Sequence, residues 1–318
     1  MTNIILSLPK GDVYAGISGV DRDFESLDLG DGILLSKTSA HVLVPYMVVF
    51  DSDQSGKSGR SDVVTESFLR EDPDGSKWED VTKKTEVIPA HREYAIAAQL
   101  HFPATLLSDW GDDRILLIRW IIAMLRIWSV PIASVPLVAN VSFGAPLETN
   151  ERLLLPFETE SRGIYLEMSS GRSQSPDRLS WVRECWKPGF ELAKQHKELY
   201  LAVQAIDQAH FVHDWALGVL LIWAALEGLF SPSRSELQFR ISALISSYLE
   251  PSGHQRRTLH KQLIKLYEER STAAHRRSPI DRRVFFESMQ LLRRIIIKMI
   301  SDSRVPSKDD LEASLFGG

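Results

Sequence analysis

The chain has 318 residues, of which 44% are hydrophobic and 25% charged, with a net charge of −5. That length suggests two domains more readily than one. The composition can fill a substantial core and excludes a collagen-like or broadly disordered chain. The single cysteine, Cys185, excludes an intramolecular disulfide and fits a reducing compartment, so a cytoplasmic location is expected. The start, Met-Thr-Asn-Ile-Ile-Leu, has no basic segment before an apolar run, and no signal peptide is expected.

The first ~170 residues carry strand and turn signals around one helix. Strands are expected over Val13–Val20, Gly32–Ser36, His41–Phe50, Tyr94–Phe102, Val138–Phe143 and Gly163–Met168. The polar runs Asp51–Asp62 and Asp72–Asp80 read as loops, the first exposed and mobile. Arg114–Trp128 reads as a helix, opened by Asp112 and Asp113 and ended by Pro131. The segment Ser169–Pro176 is polar and reads as a linker.

After it, helical periodicity replaces strand signals. Helices are expected over Pro176–His196 with a kink or break at Pro188, then over Leu199–Phe211 and Asp214–Phe230, the last two read as one interrupted helix. Ser233–Leu249 follows, opened by a capping box of Ser233 and Glu236, and then His254–Ala274 and Ile280–Asp302. Short turns between them imply an antiparallel bundle. The fold class is therefore α+β: a mixed β-rich domain over residues 1–172, an all-α bundle over 175–304 and a C-terminal tail over 305–318.

Two apolar segments invite a membrane reading. Ile115–Trp128 is broken by Arg119 and Arg126, and Trp215–Phe230 is short of a span and carries Glu227. Both read as buried helices, with no membrane partner.

Several nucleotide and metal signatures fail. Ser55–Ser58 (SGKS) ends like a phosphate-binding loop, but Asp51 stands where its first glycine belongs. No Gly-x-Gly-x-x-Gly and no Gly-x-Ser-x-Gly occurs. His210, His213 and Asp214 lack any recognised metal-ligand spacing, so no metal and no cofactor is expected.

Charge is uneven. Pro251–Arg304 holds 13 Lys and Arg against 5 Asp and Glu, an excess of +8 that leaves −13 for the remainder. Such a segment suits a polyanion such as nucleic acid. Within it stands Tyr267-Glu268-Glu269-Arg270-Ser271-Thr272-Ala273-Ala274-His275, an Arg-x4-His motif. Upstream lie the apolar helix Leu220–Phe230 with its one acid, Glu227, and a helix with an internal Arg240; downstream lies another apolar helix. A lone acid in an apolar helix requires a basic partner, and Arg270 could pair with Glu227 or with Glu269. Five helical positions place Arg270 and His275 about 140° apart, so the helix is expected to end at His275. Ser271 and His275 are four apart and can touch.

This order of pieces resembles the HEPN superfamily, in particular its ApeA-like branch, over about 130 residues; Arg276 replaces the glycine that often follows the histidine. The resemblance implies a metal-independent ribonuclease with a site shared by two chains of a homodimer. Arg270 and His275 would be catalytic, with Ser271, Glu227 and Arg240 supporting and Arg276 and Arg277 contacting RNA. It also implies a role such as an antiphage defence or toxin-like effector, with the β-rich domain sensing an unknown trigger. The alternative is a non-catalytic dimeric module that binds RNA or protein.

Overall fold

A computed structural model of the chain describes residues 11–20, 26–51, 62–71, 78–106, 114–128, 133–145, 152–158, 177–209, 211–212, 214–230, 236–275 and 280–316. Among these, the strands are β1 (Val13–Ser18), β2 (Leu27–Gly30), β3 (Ile33–Asp51), β4 (Asp62–Glu71), β5 (Trp78–Phe102), β6 (Ser134–Ala139) and β7 (Leu154–Pro156). Helix α1 (Arg114–Trp128) stands between β5 and β6. After β7 come α2 (Asp177–Gln195), α3 (Lys197–Ala209), α4 (Trp215–Phe230), α5 (Leu237–Leu249), α6 (His254–His275), α7 (Arg282–Ser301) and α8 (Lys308–Phe316). The class is α+β. No helix of the described residues is long and apolar enough to cross a membrane.

The strands form one sheet in the order β2-β3-β5-β1-β6-β7, with β4 also on β5. The chain divides into two compact units: Ala40–Ile96, and Met1–Ser39 together with Ala97–Gly318. The smaller unit holds the antiparallel pair of β4 with β5, in register from Asp62↔Val87 to Glu71↔Trp78. In the larger unit β1 pairs antiparallel with both β5 and β6. The β2–β3 hairpin turns on Asp31-Gly32, both at positive φ, which suits the twist of the flanking strands.

Some expected elements shift. His41–Phe50 and Gly32–Ser36 belong to one strand, β3. Trp78–Asp80 begins β5 rather than lying in a loop, because its pairing with β4 supplies hydrogen bonds that the polar sequence does not advertise. The expected Val138–Phe143 strand lies earlier, as β6; beyond Ala139, Asn140 takes the Leu153 backbone N–H on its side-chain oxygen and turns the chain. Residues 52–61, 72–77 and 163–168, the expected domain boundary at 172–175, Asp112, Asp113 and Pro131 lie outside the described residues.

Helix α2 runs unbroken through Pro188. Trp186 and Phe190, on either side of it, are buried. Trp186 donates its indole N–H to the Leu29 carbonyl of β2 at 2.7 Å, and its own carbonyl accepts the Trp120 indole of α1 at 2.8 Å. That packing outweighs the lost backbone bond. Helix α5 starts only at Leu237, and Glu236, expected inside the helix, is its N-cap, in the left-handed region at φ 53. Ser233 lies outside the described residues. The last segment forms α8, capped by Ser307 and Asp310, with Leu311 buried.

The larger unit has one continuous apolar core, running from β1 through α1 to α7. Deep in it lies Arg126 of α1, with a side chain only 1% exposed. It donates to Asp207 of α3 at 2.5 Å, to both carboxylate oxygens of Glu158 at 2.7 and 2.6 Å, and to the Ala133 carbonyl at 2.8 Å. Glu158 also accepts the Val135 backbone N–H of β6 at 2.6 Å. Arg293 of α7 donates to the Ile127 and Trp128 carbonyls and so closes the C-terminus of α1.

Replacing Arg126 with Met leaves two largely buried carboxylates without their cation. The expected loss is about 3–5 kcal/mol of unfolding free energy. Urea titration checks it, and an unchanged midpoint would show that the cluster adds nothing.

Candidate functional site

The motif falls in the last turns of α6, whose described residues reach His275. One side of α6 packs into the bundle through Leu263, Leu266 and Tyr267, all buried. Arg270 emerges one turn beyond Tyr267. Its guanidinium meets Glu227 of α4 at 3.0 Å, with side chains 21% and 26% exposed. Tyr267 donates its hydroxyl to the same carboxylate oxygen at 3.3 Å. The Arg270 guanidinium also stands over the Tyr267 ring, 5.2 Å from its centroid. Tyr267 is itself held edge-on by Trp223 at 5.1 Å, and Trp223 donates its indole N–H to Ser288 of α7 at 3.0 Å. A chain of contacts from α7 through α4 thus fixes the guanidinium at its half-buried position.

The lone acid of α4 therefore has the basic partner that its apolar helix demands. The two acids preceding Arg270 are engaged elsewhere. Glu269 receives Arg283 of α7 at 2.7 Å, and Glu268 receives Gln238 of α5 at 3.1 Å. Arg270 is left with Glu227 as its counter-ion, and its Nε, covered from solvent, has no hydrogen-bond partner among the described residues.

Burial raises the Tyr267 phenol pKa, and the Glu227 charge and hydrogen bond add to the rise against a smaller opposing effect of Arg270. The phenol therefore stays protonated, and remains a donor to Glu227, to higher pH than an ordinary tyrosine.

The other expected residues are placed as follows. Ser271 is half-buried, next to Arg270. Arg240 is half-exposed on α5, with Glu236 as an ion-pair partner at 3.9 Å. His275 ends α6, but its side chain lies outside the described residues, as do Arg276 and Arg277. His210 and His213 lie outside them too; Asp214 instead accepts the Leu217 backbone N–H at 2.8 Å, opening α4. Among the described residues, no group of three or more His, Cys, Asp or Glu side chains comes together.

Sequence reasoning gave Tyr267 no role. Its position three residues before Arg270, on the same helical face, was the available signal. The outward side of α4 was also not anticipated. Leu217 is 58% exposed, and Ala224 and Gly228 are exposed with it, so an apolar face lies beside Glu227 along the helix.

Family models, curated proteins and solved structures were compared with this chain, and none matches it.

Two outcomes are expected from this geometry. Arg270→Ala leaves Glu227 half-buried and unpaired, which costs about 1–2 kcal/mol, between the values for exposed and buried pairs. Glu227→Gln in the same chain recovers part of that loss, as a thermal-melt double-mutant cycle measures. The raised phenol of Tyr267 makes a stabilising contribution that is whole below the ordinary tyrosine value near 10 and is lost as pH climbs through the folded value. Tyr267→Phe should flatten the alkaline limb of the stability profile; an identical limb would show that the phenol does not titrate with unfolding.

Proposed function

We propose that the chain is a metal-independent endoribonuclease in which Arg270 and His275 act together at an interface between two copies. The observation that carries this reading is the Arg270 anchorage: a guanidinium fixed by Glu227 and Tyr267, still 21% exposed, five residues before a histidine on the same helix. A pre-positioned guanidinium loses little entropy on gripping a phosphate and offers forked charge-assisted bonds.

The reaction is attack of a ribose 2′-oxygen on the neighbouring phosphorus. The new P–O2′ bond replaces the P–O5′ bond, giving a 2′,3′-cyclic phosphate and a free 5′-hydroxyl. A base removes the 2′-hydroxyl proton, and an acid returns one to the departing 5′-oxygen. Histidine, with an unperturbed pKa near 6.5, suits either task, and two copies of His275 would supply both. Arg270 would bear the extra charge of the phosphorane. The exposed apolar side of α4, beside Glu227, offers a second copy a surface next to the site.

A second reading rests on the same ion pair. An arginine held by a half-buried acid is also what a purely structural cross-link between α4 and α6 would show, and the chain would then be a non-catalytic module that binds RNA or protein.

Incubation with RNA separates the two. The nuclease reading expects cleavage that survives EDTA, yields 2′,3′-cyclic phosphate ends and is abolished by His275→Ala without loss of melting temperature. It expects a dimer by light scattering, dissociated by Leu217→Glu. Absence of cleavage in the wild type establishes the structural reading instead, and full cleavage by His275→Ala overturns the Arg270–His275 mechanism.

A further inference from the structure

Helix α6 has a second, outward side. It carries Arg257, Lys261 and Lys265, all exposed and four residues apart. Successive members are separated by about 6 Å along the axis, at 1.5 Å per residue. Most basic residues of the +8 segment are engaged. Arg270, Arg283, Arg294, Lys298 and Arg304 have carboxylate partners. Arg256 donates to the Glu250 and Ser314 carbonyls, and Arg293 closes α1. Arg257, Lys261 and Lys265 have no such partner among the described residues. The nearest acid beyond the row on α6, Glu268, is occupied by Gln238.

Beside this row, α5 displays Phe239, 58% exposed. Its ring stands edge-on to His260, 5.3 Å away and adjacent in sequence to Lys261. An exposed aromatic ring thus lies beside cations that have no carboxylate partner among the described residues. Together they supply what a single strand of nucleic acid needs: evenly spaced charges for successive phosphates and a ring face for a base. An acidic protein surface would match the cations, but it would need more apolar area than one ring.

We propose that Arg257, Lys261 and Lys265 of α6, with Phe239 of α5, form a track that binds single-stranded RNA and feeds it along the helix toward its Arg270 end. That the polymer is RNA rests on the nuclease reading; the track itself rests on the unpaired row and the exposed ring. Phosphates lie along the cations, and one base stacks on Phe239. A continuous duplex does not fit, because its bases are already stacked on one another.

The test is fluorescence anisotropy of the full chain with a labelled 2′-O-methyl oligouridine, which cannot be cleaved through its 2′-oxygen, over a series of salt concentrations. The variant Arg257→Gln/Lys261→Gln/Lys265→Gln should bind about tenfold or more weakly. Its log–log salt slope should fall by about 2, because each phosphate of a single strand that the protein neutralises contributes about 0.7. Phe239→Ala should weaken binding at an unchanged slope, and Phe239→Trp should restore it. All four side chains are exposed, so circular dichroism should be unaltered. Wild-type affinity and slope in the triple variant overturn the proposal. So does binding of duplex RNA alone, or cation-dependent binding of polyglutamate or anionic vesicles without binding of the oligouridine. Cleavage of the ribose strand is scored separately. A chain that binds through this row without cutting keeps the track and removes the nuclease; a chain that cuts while the triple variant binds normally does the opposite.

Discussion

The Arg126 guanidinium lies where water is excluded, and a full charge survives there only with its counter-charges in contact. Asp207 comes from α3 and Glu158 from the segment just after β7, while the Ala133 carbonyl leads into β6. Three stretches of chain must therefore converge on α1 for the cation to be tolerated. A packing of α1 that separated any of them from Arg126 would leave an uncompensated charge in the core. The apolar contacts supply most of the driving force, but they are non-directional; the charge cluster selects one arrangement among the many that would bury the same area. Trp186, with one indole bond to β2 and its carbonyl on Trp120, reinforces the same junction from α2.

The candidate site applies the same rule at lower burial. Glu227 is only partly covered, so its pairing with Arg270 costs less desolvation and leaves one flank of the guanidinium open. A fully buried pair would be inert toward ligand, and a fully exposed one would be too mobile to hold a phosphate in place. Tyr267 sets the intermediate condition. Its ring lies beneath the guanidinium, and its hydroxyl takes part of the Glu227 charge. Helix α6 thereby has two different faces: an inner one whose aromatic and apolar residues place Arg270, and an outer one whose cations have no carboxylate partner among the described residues.

Much of the helical part was legible in the chain itself. The helices over Arg114–Trp128 and over the stretch that carries Arg270 follow from their periodicity. The need of Glu227 for a cation follows from its apolar neighbours. The β-rich part was less legible. β4 and the first half of β5 are rich in charged and polar residues, and they are strands because each supplies the other's hydrogen bonds. That pairing is non-local, and no alternation in either segment announces it. Likewise Pro188 signals a helix break locally, and buried neighbours on both sides overrule it.

By itself, then, the sequence determined which segments must be buried, which helix carried an acid in want of a cation, and where basic charge accumulated, because each depends on the residue types within one element. Only the tertiary structure decided which charges meet. It gave Glu227 to Arg270 and Glu269 to Arg283, buried Arg126 between Asp207 and Glu158, and left Arg257, Lys261 and Lys265 facing outward beside Phe239. The reason is physical. Hydrophobic burial is set by composition and period, whereas ion pairing is directional and short-ranged, and is fixed only when helices distant in sequence come within a few ångströms of one another.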